Sequence, residues 1–367
     1  MSTRTRRVDQ VIPSIIEHDA VSNHTFEAQR LLRELGFESE IYARILGPGV
    51  EGRVRPIGQL PEYASSERWL LYQCSIGSPV ADAFAADPGR KLLAYHNITP
   101  AELVERWIPP LGEESRLGRQ QLVDLAPLVP FAIADSEFNA AELRDFGFAR
   151  AEVVSVLIES ANLAMVADSA SLDRLELAKS DGGSDWLFVG QVAPHKAQHD
   201  LVAALACYRK AYEDRARLHL VGRPMGSAYL DSVSRFADSL DLDSAVELPG
   251  SVPAPELCAY YESADVFVCL SHHEGFCVPI VEAMARGLSV VAADVAAVPG
   301  TLGDAGVLLK RRDPAYVAAA VHELLEDRAT RASLVRRGLE RAKLFSLDAA
   351  RESFRRAITE AVSDSYA

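Results

Sequence analysis

The chain has 367 residues, more than one hydrophobic core usually organises, so two domains are expected. Apolar residues make up 49%, which excludes a disordered chain. A net charge of -14 and a pI near 5.2 exclude nucleic acid as the main partner, because phosphate backbones are held by clustered Lys and Arg; an anionic small substrate in a cleft with a few cations stays open.

In chain order, the start MSTRTRRVDQVIPSIIEHD carries arginines but only a short apolar run, so it does not read as a signal peptide. Apolar runs at 8–16, 39–46, 68–75, 91–97, 131–136 and 152–157 predict strands. Helical periodicity fills several gaps, most clearly at 24–35, where HTFEAQRLLREL stops at Gly36. The polar stretch from Asp168 to Ser184 marks the boundary, giving domains at 1–167 and 168–346. Six further runs follow: DWLFVG (185–190), LHLVG (218–222), VELPG (246–250), DVFVCLS (265–271), LSVVAAD (288–294) and GVLLK (306–310). Strands alternating with helices predict parallel sheets, hence an α/β chain of two Rossmann-like halves. Asp313 and Pro314 give an N-cap and first-turn proline to PAYVAAAVHELLEDR, and helices at about 328–343 and 347–362 end the chain.

Five scattered cysteines, without CxxC spacing or paired histidines, suit reduced thiols in a cytosol. No apolar run reaches 18 residues, so no transmembrane segment is expected. The expected location is cytoplasmic, with peripheral association at the inner membrane face left open.

Ligands of open parallel sheets sit beyond the carboxyl ends of the strands, near helix N-termini. The richest such segment is SHHEGFCVPIVEAMARGLSVVA, 271–292, which turns on Gly275 and enters a helix near Cys277 that ends at Gly287. Glu274 and Glu282 within it stand roughly 12 Å apart if the stretch is mostly helical. Carboxylates flanking one glycosidic bond need about 5–9.5 Å, so this pair suits a long ligand with hydroxyls at both ends, such as a nucleotide sugar. The second segment is VGQVAPHKAQHD, 189–200, where Gly190 permits close approach and Lys196 enters the first turn of the next helix. A cation is unfavourable there for the helix dipole, which suggests a task on a diphosphate leaving group.

At these residues the sequence resembles the GT-B glycosyltransferases of the large retaining family 4. The resemblance rests on the Glu274/Glu282 spacing in EGFCVPIVEAMARGLSVVA and on VGQVAPHKAQHDLVAAL about 80 residues earlier; it covers about 185–362, with KLLAYHNITP and FAIADSEFNAAEL fitting more weakly. It implies that Glu282 binds ribose hydroxyls, that Lys196 pairs with the diphosphate, and that Glu274 with the amides of Gly275 and Phe276 holds the donor sugar. Amides near Val278 and Ile280 meet phosphate oxygens, and Cys277 lies in the same turn. Gly250, Ser251 and Val252 border the base. His96 meets the sugar from the first domain and helps position the acceptor, so Glu274, His96 and Lys196 are the expected catalytic residues. The implied reaction transfers a hexose from a UDP- or GDP-linked donor to a sugar, lipid-linked or small-molecule acceptor, with retention and without a cofactor or metal. The last helix, about 347–367, is expected to pack back on the first domain.

Two departures stand out. Gln191 occupies the position after the first strand's glycine where the family commonly has Arg, with Arg223 the candidate to compensate. DAVSN, 19–23, replaces the usual glycine-rich loop, and Asn23 is either an acceptor contact or part of a helix cap. His272 and His273 are adjacent and so point to opposite faces, which favours loop and packing roles over a metal pair. GPGVEG, 47–52, matches GxGxxG with no helix behind it, and Asp241 and Asp243 read as turn residues. A same-fold epimerase, a cyclitol-coupling enzyme and a non-catalytic partner subunit remain as alternatives.

Overall fold

The computed structural model describes residues 6–16, 19–61, 68–157, 165–179 and 182–363. The chain forms two compact units, one of Met1–Glu102, Pro110–Glu159 and Ser346–Ala367, the other of Leu103–Pro109 and Ser160–Phe345. The second unit thus begins before Asp168, where composition changes; Arg286 already binds the carbonyl of Met165 at 3.0 Å.

In the first unit the chain runs β1 (Arg7–Ile15), α1 (Ala20–Glu34), β2 (Ile41–Leu46), β3 (Arg55–Pro56), β4 (Arg68–Cys74), α2 (Pro79–Ala86), β5 (Arg90–Tyr95), α3 (Pro109–Leu125), β6 (Phe131–Ala134), α4 (Glu137–Asp145) and β7 (Ala151–Val153). The described strands form one parallel sheet in the order β3-β2-β1-β4-β5-β6-β7. In β4, Leu70, Tyr72 and Cys74 enter one buried cluster, while Trp69 and Leu71 enter the cluster on the other face. That double burial explains why its central run, Trp69 to Tyr72, is apolar on both faces rather than alternating.

Three elements differ from expectation. β3 is only two residues long, too short for a periodicity. β7 stops at Val153 instead of running on to 157. α1 begins at Ala20 rather than His24, because the Asp19 carboxylate accepts from the Ser22 amide and caps the helix; DAVSN is therefore a helix start.

In the second unit the order is α5 (Ser169–Lys179), β8 (Asp185–Val189), α6 (Gln198–Ala211), β9 (Arg217–Val221), α7 (Ser227–Asp238), β10 (Val246–Gly250), α8 (Ala254–Ser263), β11 (Val266–Cys269), α9 (Val278–Ala285), β12 (Val290–Ala293), α10 (Val298–Leu302), β13 (Val307–Leu309), α11 (Pro314–Glu326) and α12 (Arg328–Ala342). Its described strands are parallel in the order β10-β9-β8-β11-β12-β13. The last helix, α13 (Leu347–Ser363), belongs to the first unit. Its Phe354 and Ile358 join Leu31 and Leu32 of α1 in that unit's core, and its Arg351 pairs with Glu27 at 2.7 Å.

His219 on β9 is buried between two carboxylates of the second unit. Its Nδ1 lies 2.7 Å from Glu247 and its Nε2 lies 3.5 Å from Asp185. Burial disfavours its protonation, but bonds to Asp185 and Glu247 outweigh that and raise its pKa above the ordinary 6.5. A raised folded-state pKa adds stability that is complete below the unfolded value and is lost as pH rises through the folded value. Urea melts of the wild type from pH 6 to 9 are therefore expected to show stability falling above about pH 6.5, with the slope reduced in His219→Gln.

Candidate functional site

Three adjacent strands of the second unit end in glycine with positive φ: Gly190 after β8 (+154°), Gly222 after β9 (+152°) and Gly250 closing β10 (+75°). The Gly190 amide donates to the Val221 carbonyl and the Gly222 amide to the Gly250 carbonyl, both at 2.9 Å. A Cβ on Gly222 would stand 2.0 Å from the Gly190 carbonyl oxygen, so the strand ends touch backbone to backbone. The sheet ends here in bare main chain, which lets a ligand approach closely.

Beside this edge lies a buried ion pair. Lys196 Nζ donates to Glu274 Oε2, and Ser271 Oγ donates to Glu274 Oε1, both at 2.7 Å. Glu274 is 6% exposed and the Lys196 side chain 19%. Burial works against the Lys196 charge, but Glu274 overrides it and raises the lysine pKa. The sequence suggests separate ligand contacts for these two residues; in the fold they neutralise each other, so any anion reaching Lys196 competes with Glu274.

The backbone around the pair is held in uncommon conformations. Ala197, directly after Lys196, and Cys277, at the start of α9, both adopt left-handed conformations with φ of 55° and 72°. Non-glycine residues held this way cost roughly 1–3 kcal/mol each and cluster where function fixes the chain. The loop is also anchored: the Glu274 carbonyl accepts from Ala297 N–H, and the Phe276 carbonyl from Thr301 Oγ1.

The other expected contacts divide into side chains and main chain. Glu282 on α9 is buried, and its Oε2 accepts from the Tyr261 hydroxyl at 2.7 Å. Phe276 packs edge-on against Phe345, and the Cys277 thiol lies 4.0 Å from Cys269 Sγ, so both side chains face inward. Gly275 and Val278 are half-buried, and the Ile280 amide already donates to the Cys277 carbonyl. Ser251 and Val252 follow β10 at the glycine edge. Gln191 offers its carbonyl to Gln198 at 2.8 Å, and Arg223 is exposed just beyond Gly222.

His96 and Asn23 belong to the first unit. Asn23 is exposed in the first turn of α1. The His96 ring, 1% exposed, has Nδ1 2.9 Å from Asp135 and Nε2 2.7 Å from Gln73. The Thr25 carbonyl can only accept, so Gln10 Nε2 donates to it, Gln73 Nε2 donates to Gln10 Oε1, and Gln73 presents its oxygen to His96. The ring is thus engaged at both nitrogens, and a ligand reaches Nε2 only if Gln73 lets go. His24, Asp135 and His96 have converging donor atoms, but His24 Nδ1 accepts from the Leu157 amide, which puts the proton on Nε2 and removes it as a metal ligand.

Tyr261, Ser271, Gln73 and Asp135 were not singled out from sequence. Ser271 lies three residues before Glu274 and was findable there; Tyr261 sits in the apolar helix α8 with nothing to mark it.

A parallel α/β unit with a glycine edge and a helix start beside a buried lysine–carboxylate pair is an open-sheet α/β architecture, the class in which ligands sit beyond the strand ends. Residues 171–341 match the family model described as glycosyl transferases group 1. A D-inositol 3-phosphate glycosyltransferase of Kineococcus radiotolerans is 31% identical over 321 residues, covering 82% of this chain and 72% of that protein. One of the same name from Frankia alni is 30% identical, covering 93% and 94%. Among solved structures, sucrose-phosphate synthase from Thermosynechococcus elongatus superposes with TM-score 0.75 at 17% identity, covering 98% of this chain and 100% of that one. Anabaena Alr3699/HepE in complex with UDP-glucose gives TM-score 0.75 at 15% identity, covering 96% and 99%. The chain belongs to the group 1 glycosyltransferases and has the GT-B fold of these neighbours. It is an enzyme of the hexosyltransferase class.

Proposed function

We propose that this enzyme transfers a hexose, with retention, from a UDP- or GDP-linked donor to a hydroxyl acceptor, with no metal in the chemistry. The observation that carries the reading is the buried Lys196–Glu274–Ser271 cluster beside the glycine edge. Lys196 takes the diphosphate, supported by the start of α9, and steadies the charge that develops as the nucleotide leaves. Glu274, released from Lys196 by the phosphate, orients the sugar hydroxyls, and Glu282 holds the ribose. The acceptor hydroxyl attacks from the leaving-group face, so no carboxylate nucleophile is needed. His96 serves the acceptor side, with Asp135 and Gln73 positioning its ring. The UDP-glucose complex of the Anabaena neighbour supports a UDP donor, and the names of the relatives make a phosphorylated cyclitol the first acceptor to try. The reading includes a cytoplasmic location; among the described residues no helix is long and apolar enough to cross a membrane.

The test is thermal unfolding against UDP, GDP, ADP, dTDP and CDP, without and with magnesium. One nucleotide at about 100 times its dissociation constant is expected to add roughly 2.7 kcal/mol, equally in both conditions. No shift with any nucleotide overturns the donor reading.

Tyr261→Phe gives a narrower expectation. It removes a hydroxyl that donates to Glu282 Oε2 without changing the ring. A buried hydrogen bond to a charged group is worth about 1.5–3 kcal/mol, so donor KM should rise roughly tenfold or more. Initial-rate kinetics should show kcat nearly unchanged, since ribose binding is common to ground and transition states.

A further inference from the structure

Three metal-ligating side chains converge next to the donor loop, and the transfer uses none of them. His199 and Asp200 lie in the first turn of α6, and His272 lies in the loop between β11 and α9. His199 Nε2 is 3.5 Å from Asp200 Oδ1, and His272 Nε2 is 2.9 Å from Asp200 Oδ2. The three donor atoms fall within 4.8 Å of one another. Two ligands of a tetrahedral zinc ion, each bound at ~2.0–2.2 Å, stand about 3.3 Å apart, so the side chains need to move little.

We propose that His199, Asp200 and His272 bind one divalent transition ion of the zinc type. His199 Nδ1 lies 2.8 Å from the hydroxyl of buried Tyr229, the outer contact that commonly orients a ligating ring. The His272 amide donates to the His195 carbonyl at 2.7 Å, which fixes the loop against the turn that precedes α6. The three side chains are 26–43% exposed, which admits the ion and leaves room for water as a fourth ligand. Two imidazoles with one carboxylate select Zn²⁺, Co²⁺ or Ni²⁺ over Mg²⁺ or Ca²⁺. Arg312, whose charge acts on Asp200 and whose guanidinium reaches the Ser271 carbonyl at 3.5 Å, opposes the ion and sets its affinity below that of a closed structural site. The sequence argued against His272 with His273; the fold instead pairs His272 with a histidine from another element.

The ion bridges the same two segments that the Lys196–Glu274 pair joins, the turn into α6 and the loop 271–274. It acts as a clamp on the donor site and takes no part in the transfer. This consequence rests on the donor reading, whereas the binding itself does not.

The experiment uses tag-free, EDTA-stripped protein titrated with Co²⁺ by visible absorption and with Zn²⁺ by calorimetry. One ion per chain is expected, with cobalt bands of low-coordinate intensity and no displacement by Mg²⁺. His199→Ala and Asp200→Asn should each abolish the cobalt spectrum while unfolding like wild type in EDTA. Tyr229→Phe should weaken zinc binding roughly tenfold to a hundredfold. Equal isotherms for wild type, His199→Ala and Asp200→Asn overturn the proposal, as does a wild type that gives no cobalt bands. If the nucleotide panel fails but cobalt binds, the donor reading falls and the metal site stands.

Discussion

Lys196→Ala is expected to lower kcat/KM by a factor of about 10²–10³, the cost of removing one group aimed at charge developing in a transition state. The wild-type shift in melting temperature with the preferred nucleotide should also vanish. Lys196→Arg should recover only part of the activity, because a planar guanidinium does not replace a compact ammonium beside Glu274 and Ser271. Stability supplies a second reading. Breaking a buried ion pair costs about 3–5 kcal/mol when one charge is left uncompensated. The Lys196 side chain is 19% exposed, so the lower end of that range or less applies, read from urea denaturation. The double variant Lys196→Ala, Glu274→Gln should regain much of that stability and none of the activity. A single variant that keeps full kcat/KM assigns the pair a structural role and returns the donor site to question.

How much of this was legible in the sequence depends on how local each signal is. Strands read well where double burial made continuous apolar runs, as in β4 and β11, each bounded by small or polar residues. The short edge strand β3 carries no pattern at all. The start of α1 was misplaced because Asp19 and Ser22 look like loop residues until one is seen capping the other. At the site, the Glu274 segment was visible because a strand, a turn glycine and a helix lie in one continuous stretch. Pairings between strands were not. Asp135 follows β6, Gln73 lies on β4, and both meet His96 only because these strands flank β5 in the sheet. Strand order is a property of crossovers, which residue patterns do not encode. The same limit hid the meeting of Lys196 with Glu274 and of His199 with His272, each joining the segments that follow β8 and β11, neighbours in the second sheet.

Gly222→Ala should be among the most damaging single changes in the second unit, costing roughly 3 kcal/mol or more. Two penalties add. A φ of +152° is one that side-chain-bearing residues rarely adopt, and the new Cβ would lie 2.0 Å from the Gly190 carbonyl oxygen and 2.6 Å from its carbon. Those atoms are main chain, held by the Gly190 amide bond to Val221 and by the Val192 amide bond to the Arg223 carbonyl. Relief therefore requires breaking the register between β8 and β9 at the edge where Lys196 and Gln191 enter. Gly250→Ala is the control, since it too has positive φ, +75°, but nothing within 4 Å of its Cβ. It should cost only the left-handed strain of about 1–2 kcal/mol. Urea denaturation of both variants measures the difference, and nucleotide-induced stabilisation shows whether the edge survives. A large gap between the variants ties the cost to backbone contact between the strand ends rather than to dihedral strain. If instead the two are equally mild, the strand ends stand further apart in solution, and the glycines serve ligand approach without holding the edge closed.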